Sequence, residues 1–272
     1  MLVLAYKQVQ DFSMISEYHR PQTLDEALKL IARPEPRTHP LGGGTMLNRP
    51  TPKSYAVVDL QALNLSEVRK TGNYLEIGAT ATLQALYESV HIPPALRESI
   101  RLETNYNIRQ VATVAGALVA CDGRSSFATA MLALDAKLTL LPGEEEVTLG
   151  NLLPLLTTTT GYASPLQGKL ITKITLPAQT KLAFQYIARA PDDRPIVCAA
   201  VAQWASGRTR VALGGHGRSP ALAMDGPEPG GVEMAAQNAY QDAGDEWGSA
   251  EYRREMAGVL VRRCLVQIQD SK

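Results

Sequence analysis

Helix and strand patterns alternate along this chain, but not in the regular order that builds a doubly wound parallel sheet. A capped amphipathic helix is predicted from Thr23, where Thr23 and Glu26 form a capping box, and Pro34 ends it. A strand pattern begins at Tyr74, and a second capped helix follows it from Thr82. Because strands do not return after each helix at a constant interval, the order predicts an α+β fold.

The pattern of predicted elements changes near residue 178, where we expect a break between domains. Before it, FATAMLALDAKLTLL predicts a helix that leads into a strand, and GKLITKITLP predicts a strand. After it, RPIVCAAVAQWASGRTRVALGG predicts two strands around a Ser-Gly turn, and 223–232 predicts a loop. Residues 249–268 predict a closing amphipathic helix. Its apolar face is expected to comprise Tyr252, Met256, Val259, Leu260 and Leu265.

The charge balance excludes several classes of partner. Lysine plus arginine and aspartate plus glutamate number 27 each, so no overall field favours nucleic acid or an anionic membrane. No segment has the roughly 20 consecutive apolar residues of a membrane span. The first residues, MLVLAYKQVQDF, lack the basic region and cleavage site of a signal peptide. We therefore expect a cytoplasmic location.

Cysteine and histidine are too sparse and scattered to predict a metal site. Cys121, Cys198 and Cys264 lie far apart with no CxxC pair, and the four histidines show no metal-ligand spacing. This distribution argues against a disulfide framework, a structural zinc, and an iron–sulfur cluster held by this chain alone.

Three consecutive glycines and a threonine, Gly42 to Thr45, form the most unusual local motif. They match neither the dinucleotide pattern GxGxxG nor the P-loop pattern GxxxxGK[ST], and neither does GGHGRS at 214–219. Consecutive glycines can still turn backbone N–H groups toward an anion, and Thr45 adds a hydroxyl. From the pattern alone, a tight turn is the simpler interpretation and an anion-binding nest is the alternative.

A second small-residue segment changes that comparison. RQVATVAGALVA places Thr113 and Gly116 where side-chain bulk is again missing. Two such segments are able to hold one diphosphate between them. The structural alternative is close packing of a strand against a helix.

With both segments in view, the chain resembles the FAD-binding medium subunit, or middle domain, of molybdenum hydroxylases, the carbon monoxide dehydrogenase and xanthine dehydrogenase group. The family pattern AGGTDLL is matched by GGGTML at 42–47, and IGAxxTLxxL by residues 77–86. IRNxATxGGNxxxASPxxDxxxALLALDA runs without gaps along 108–136, and GELITxxxLP along 168–177. EYRREMAGVLVRRCL at 251–265 is similar to the family's last helix.

The resemblance implies two α+β subdomains that form a flavin cleft, the PCMH-type FAD-binding fold, and then a C-terminal antiparallel sheet with helices. The FAD-binding domain is expected to cover residues 1–178, with a subdomain break near 54–60, and the C-terminal domain 179–272. FAD is the implied cofactor of this chain. A large subunit with the molybdenum cofactor and a small iron–sulfur subunit are the implied partners in a hetero-oligomer. The implied function is an oxidoreductase subunit, not active on substrate alone, that relays electrons from the clusters through FAD to an external acceptor.

The residues implied to contact FAD lie on the two glycine segments, at the start of a helix and on one strand. They are Leu41, Gly42, Gly43, Gly44, Thr45, Met46, Thr113, Ala115, Gly116, Ala117, Ser126, Leu170 and Ile171. The glycines, Thr45 and Thr113 are assigned to the pyrophosphate. Leu170 and Ile171 are assigned to the isoalloxazine ring, although a buried strand would carry the same residues.

Four of these positions depart from the family pattern. Met46, Ala115, Ala117 and Ser126 stand where the family has aspartate, glycine, asparagine and aspartate. Each lost polar side chain removes hydrogen bonding that contributes about 0.5–1.5 kcal/mol, while backbone donors are unaffected. The alternative is therefore a flavin-free structural or assembly subunit of the same fold. A stand-alone flavin oxidoreductase is a third hypothesis.

No nucleophile or general base stands out, so no catalytic residue is predicted. This agrees with a flavin subunit, in which the cofactor carries the redox chemistry. Asp59 is expected to accept hydrogen bonds from nearby backbone at a strand end. Asp193 is expected to pair with Arg189 on the surface, the alternative being a contact with the flavin edge.

Overall fold

Three separate sheets organise the protein, which is described here by a computed structural model covering residues 15–47, 54–158 and 165–270. The first residues, on which the expectation about a signal peptide depends, lie outside these ranges. None of the helices within the described ranges is both long and apolar enough to cross a membrane. The mixture of antiparallel sheets, one small parallel sheet and intervening helices confirms the predicted α+β class.

The first sheet is parallel and small, with the order β1-β3-β2. Its elements are β1 (Ile15–His19), α1 (Leu24–Ala32), β2 (Thr38–Leu41) and β3 (Tyr55–Asp59). As predicted, Thr23 caps α1 by accepting the N–H of Glu26 at 3.3 Å. The carboxyl ends of β2 and β3 lie side by side, where the N–H of Leu60 donates to Leu41 at 3.1 Å. The glycine run therefore starts where two parallel strands end, a common place for a ligand.

The second sheet is antiparallel, with the order β4-β5-β8-β6-β7. Its strands are β4 (Val68–Thr71), β5 (Tyr74–Gly78), β6 (Lys137–Leu141), β7 (Glu145–Thr148) and β8 (Leu170–Pro177). Five helices connect β5 to β6 and a sixth precedes β8. They are α2 (Leu83–Glu88), α3 (Pro94–Glu103), α4 (Tyr106–Arg109), α5 (Val114–Val119), α6 (Ser126–Ala133) and α7 (Leu149–Thr158). The predicted cap Thr82 accepts the N–H of Ala85 at 3.1 Å and starts α2.

The third sheet is antiparallel and has helices on both faces. It comprises β9 (Lys181–Ile187), β10 (Val197–Gln203), β11 (Thr209–Gly214) and β12 (Ala221–Gly226), in the order β12-β11-β10-β9. The last helices, α8 (Val232–Ala239) and α9 (Ala250–Asp270), cover one face, and α3 and α6 pack against the other. The residues of β10 alternate between two hydrophobic cores, with Cys198 in one and Ala199 in the other.

One sequence prediction in this part of the chain is wrong and a second is right only in part. The first four residues of the predicted loop 223–232 belong to β12, because pairing with β11 overrides the weak strand propensity of Met-Asp-Gly. Of the predicted apolar face of α9, Leu260 is buried and Met256 and Leu265 pack against the core, but the centre of the face is shifted. Its buried side chains are Arg253, Ala257, Leu260, Val261, Cys264 and Ile268, whereas Tyr252 is exposed.

Arg253 explains the shifted face, because a charged residue occupies the buried stripe of α9. Its guanidinium donates to the carbonyls of Ile196 at 3.1 Å, Ala243 at 2.7 Å and Gly248 at 3.1 Å, and to the Asp245 carboxylate at 2.7 Å. Burial alone would raise the pKa of Asp245, but the hydrogen bond from Arg253 helps to hold it below its ordinary value. Arg253 thus fastens the loop that precedes α9 to the start of β10.

A second charged residue, the half-buried Glu103, joins α3 to α6. Its carboxylate accepts from the Ser125 hydroxyl and from the N–H of Phe127, both at 2.9 Å, at the N-terminus of α6. Burial raises the pKa of Glu103, and these two hydrogen bonds only partly oppose that shift.

Glu103→Gln is expected to change how stability depends on pH. Because the folded-state pKa of Glu103 lies above the unfolded value, the native state holds this proton more tightly. The wild-type contribution to the free energy of unfolding therefore falls as pH rises from the unfolded pKa to the folded one, and the variant lacks that fall. Urea unfolding of both proteins between pH 4.5 and 8 should show the variant gaining stability relative to wild type with increasing pH. A constant difference would contradict the assignment.

Candidate functional site

A cavity of about 370 Å³ opens where the parallel sheet meets the second sheet. Its walls come from the segment after α1, the loop after β2, the start of α5 and the start of β8. Among the predicted site residues, those that line it are Gly42, Gly43, Gly44, Thr45, Met46, Thr113, Ala115, Gly116, Leu170 and Ile171. The fold thus brings together segments that are far apart in the sequence.

The loop after β2, residues 42–46, is called the first loop below. Among the described residues, none of its backbone N–H groups has a hydrogen-bond partner, and neither has the Thr45 hydroxyl. Gly44 has φ +69°, a left-handed conformation that glycine adopts without strain. The Tyr55 hydroxyl donates to the carbonyl of Leu47 and fixes the end of the loop. The loop therefore offers a run of unused donors on a fixed backbone.

The first two glycines are required by contact with a second loop, residues 110–113, which joins α4 to α5. A Cβ on Gly43 would lie 1.7 Å from the Val111 carbonyl oxygen, and one on Gly42 would lie 2.6 Å from the Thr113 hydroxyl oxygen. No side chain fits at either position without moving backbone or a packed neighbour. The close approach indicated by the sequence is thus to the chain's own second loop, and the two loops form one continuous wall.

The second loop is itself held by backbone hydrogen bonds. The N–H of Leu83 donates to Ala112 and that of Val114 to Ala81, both at 2.8 Å. The Thr113 hydroxyl accepts the N–H of Gly116 at 3.2 Å and caps α5. The sequence analysis offered close packing of a strand against a helix as the alternative. The structure instead shows the capped start of a helix packed against a glycine loop. The Thr113 hydroxyl proton stays available to a ligand.

The start of β8 supplies the apolar side of the cavity. Leu170 is 2 % exposed and Ile171 is 7 % exposed, so both belong to the hydrophobic cores as well as to the cavity wall. Gly168, with φ +71°, makes the turn into the strand. The sequence analysis offered two interpretations of these residues, contact with the ring or burial within a strand. Both side chains are buried in the strand and also line the cavity, so the two interpretations are compatible.

Three predicted contacts lie away from this cavity. Leu41 packs beneath the first loop, where its Cδ1 would be 3.3 Å from a Cβ on Gly44. Ala117 packs against the main core. Ser126 is fully buried at the start of α6, and its hydroxyl has no partner among the described residues. Their assignment to FAD stays a prediction.

Charged residues also line the cavity, and the sequence analysis missed them. Arg33, Arg37 and Lys169 line it together with His39 and the acidic Glu35. Arg33 donates to Glu17 at 2.6 Å and to the Thr38 hydroxyl at 2.8 Å. Burial, and then the charge of Arg37, lowers the pKa of His39, so its ring is mainly neutral at pH 7. The run of basic residues just before the glycines was the available signal, but it has no fixed spacing.

Asp59 and Asp193, two acidic residues discussed in the sequence analysis, make different contacts. Asp59 accepts the N–H of Gln61 at 2.9 Å and the Tyr18 hydroxyl, which confirms its predicted role at a strand end. The predicted pair of Asp193 with Arg189 does not form. Both side chains are exposed, and Arg189 instead lies over the ring of Trp247 at 5.0 Å. An aromatic face offers this cation a fixed position that a surface carboxylate does not.

The described residues contain no cluster of three or more metal-ligating side chains. What the cavity does offer is a row of backbone donors, a hydroxyl, flanking cations and an apolar strand. Backbone donors and cations suit the two charges of a diphosphate, and the apolar strand suits a flat ring. The donor set therefore fits a dinucleotide.

Comparisons with known proteins point the same way. The family model described as FAD binding domain in molybdopterin dehydrogenase matches residues 10–179. The chain is 32 % identical to the protein YgfM of Escherichia coli K12, over 91 % of this chain and 94 % of that protein. It is 27 % identical to the carbon monoxide dehydrogenase medium chain of Afipia carboxidovorans, over 92 % and 95 %. The structure of reconstituted CO dehydrogenase from Oligotropha carboxidovorans matches with a TM-score of 0.78 at 25 % identity, covering 96 % of this chain and 99 % of that chain.

Proposed function

The chain belongs to the family of FAD-binding domains of molybdopterin dehydrogenases, and on that premise we propose that it binds FAD in this cavity and relays electrons through it. The chain is an FAD-binding subunit of the carbon monoxide dehydrogenase-like molybdenum hydroxylases. We further propose which residues hold the cofactor, that the chain relays electrons, and which subunits are its partners.

The observation that carries the proposal is the row of unpartnered N–H groups at residues 42–46. Four of these five residues are half-buried and all five line the cavity, so a consecutive unpaired set of donors beside it suits a ligand with several acceptors. A pyrophosphate supplies such acceptors. Thr45 and the free proton of Thr113 add two hydroxyl donors to the same wall.

The remaining surfaces divide the other parts of FAD between them. Leu170 and Ile171 present an apolar surface that suits the isoalloxazine ring, while Arg33, Arg37 and Lys169 also line the cavity and suit the anionic middle of the molecule. Lys169 is also paired with Glu145 at 2.6 Å, so its charge is partly neutralised. The chain therefore orients the cofactor by backbone and packing more than by free charges.

FAD, when bound, supplies the ability to accept and pass on electrons, which no side chain in this cavity offers. The residues of the chain hold it at a fixed place and cover one side with apolar groups. A large molybdenum-cofactor subunit and a small iron–sulfur subunit are the proposed partners that deliver electrons, within a cytoplasmic hetero-oligomer. The proposed domains are residues 1–178, with a subdomain break near 54–60, and 179–272.

The flavin-free alternative also has structural support. Met46 and Ala115 line the cavity without offering a polar side-chain atom, and neither Ala117 nor Ser126 reaches it. These four positions lower the expected affinity, whereas the backbone donors at 42–46 depend on no side chain. Because the wall that the backbone builds is intact, FAD binding is favoured over a purely structural subunit.

An absorption spectrum of the purified full-length chain tests the proposal, together with identification of any flavin released by heat. We expect flavin bands near one equivalent, or their appearance after incubation with excess FAD and gel filtration. A chain that stays colourless after this incubation is the flavin-free subunit. Purification from the native source distinguishes the third hypothesis, since a flavoprotein without a molybdenum-containing partner acts alone.

A further inference from the structure

We propose that Arg109, which does not line the cavity, is a positioning residue that sets the FAD-binding geometry by fixing the second loop. This inference rests on the proposed function, because its effect is measured on FAD affinity. Its basis is a buried cation at the base of a loop on which the first loop is packed.

The side chain of Arg109 lies inside the protein and is shared among three elements. It is 9 % exposed and donates to the Gln84 side-chain oxygen of α2 at 3.1 Å. It also donates to the Thr104 carbonyl at 2.9 Å and to the Arg101 carbonyl at 3.4 Å, at the end of α3. The ring of Tyr87 lies 5.3 Å from the guanidinium carbon. Arg109 therefore joins α2, the end of α3 and α4.

The second loop starts directly after this residue. The N–H of Val111 donates to Ile108 at 3.1 Å and that of Ala112 donates to the same carbonyl at 2.8 Å, so the loop continues rigidly from α4. Its other end is fixed by the bonds to Ala81 and Leu83 described above. The orientation of α4 consequently decides where the Val111 carbonyl lies.

The Val111 carbonyl in turn decides where the first loop lies, since a Cβ on Gly43 would be only 1.7 Å from it. With no space between the loops, a displacement of one passes to the other. In a preorganised site, a displacement of about 1 Å caused by a distant substitution can cost about a hundredfold in reaction rate, so a shift of that size should also be measurable in FAD affinity. Arg109 thus acts on FAD without contacting it.

Arg109→Met and Arg109→Lys test this inference, with Arg97→Met as the matched control. Arg97 approaches the same Tyr87 ring at 6.0 Å and donates to the carbonyls of Tyr87 and Ser89, but has no bond to α4. The dissociation constant for FAD is measured by fluorescence titration of the full chain, at a temperature where circular dichroism shows each protein folded. We expect Arg109→Met to raise it at least about tenfold, Arg109→Lys to raise it less, and Arg97→Met to leave it within about twofold.

A second variant keeps the inference open to refutation if Arg109→Met does not fold. Gln84→Met removes the acceptor for Arg109 while keeping an unbranched side chain of similar size, and it should raise the FAD dissociation constant in the same direction. Equal affinity for wild type, Gln84→Met and the Arg109 variants would overturn the inference, as would a loss in Arg97→Met as large as that in Arg109→Met. A wild-type chain that binds no FAD would instead overturn the proposed function, and this inference with it.

Discussion

Gly43→Ala is expected to abolish FAD binding under conditions where the wild-type chain is saturated. The added Cβ would lie 1.7 Å from the Val111 carbonyl oxygen and 2.5 Å from its carbon, and both atoms belong to backbone that cannot rotate away. The two loops must therefore separate, which displaces the N–H groups of residues 42–46. We expect at least about a hundredfold weaker binding, since the loss of these backbone hydrogen bonds, at about 0.5–1.5 kcal/mol each, amounts to about 3 kcal/mol or more. Overpacking should also lower the free energy of unfolding by about 1–3 kcal/mol.

Gly150→Ala is the matched control for this experiment. Its added Cβ would lie 3.5 Å from a Leu132 methyl group, an ordinary contact inside α7, so alanine should be accepted without loss of stability. FAD titration and urea unfolding of both variants give the comparison. If Gly43→Ala binds FAD as tightly as Gly150→Ala does, the two loops do not form the wall described here.

Arg253→Met is expected to cause the largest loss of stability. The substitution removes a guanidinium that is fully buried and takes that donor from the carbonyls of Ile196 and Ala243, while the Gly248 carbonyl keeps only the N–H of Asp245. Removing one partner of a buried ionic network typically costs about 3–5 kcal/mol, because the other partners stay desolvated. Equilibrium urea unfolding measures this change directly. Arg254→Met, at an exposed position of the same helix, should change the free energy of unfolding by less than about 0.5 kcal/mol.

Methionine distinguishes a role of Arg253 in packing from a role in hydrogen bonding, because it keeps a buried chain of similar length and loses only the polar head. A change as small as that of Arg254→Met would show that the site is held by packing. In that case the four hydrogen bonds would be dispensable.

The parts of the fold that the sequence predicted well are those determined by neighbouring residues. The caps Thr23 and Thr82 each act on an N–H three residues away, so the pattern contains the whole interaction. Strands β8, β10 and β11 follow from runs of apolar residues bounded by turns. The strand β12 was missed because its partner, not its own composition, makes it a strand.

The candidate site likewise combines features that neighbouring residues indicate with contacts that only the folded structure reveals. The sequence marked the glycine run at 42–44 as unusual, but the contact that requires Gly43, the Val111 carbonyl, comes from a distant segment and could not be named. The resemblance to a known family identified many of the residues that line the cavity. The structure shows why positions 42 and 43 are glycine, since a side chain there would collide with the second loop. Arg253 misled the helix pattern because a buried arginine looks like a surface residue until its carbonyl partners are known.

The position of α6 has a consequence for how the protein is divided. This helix packs on β10 and β11 of the last sheet, while its own side chains, such as Phe127 and Met131, belong to the core of the cavity-bearing part. A fragment cut near residue 178 would expose that helix to water, as well as the half-buried Glu103 at its N-terminus. The boundary at which the family model stops is therefore not a boundary of folding, and cooperative unfolding should ignore it. FAD binding and the structure of the last sheet should then be lost together in one unfolding transition.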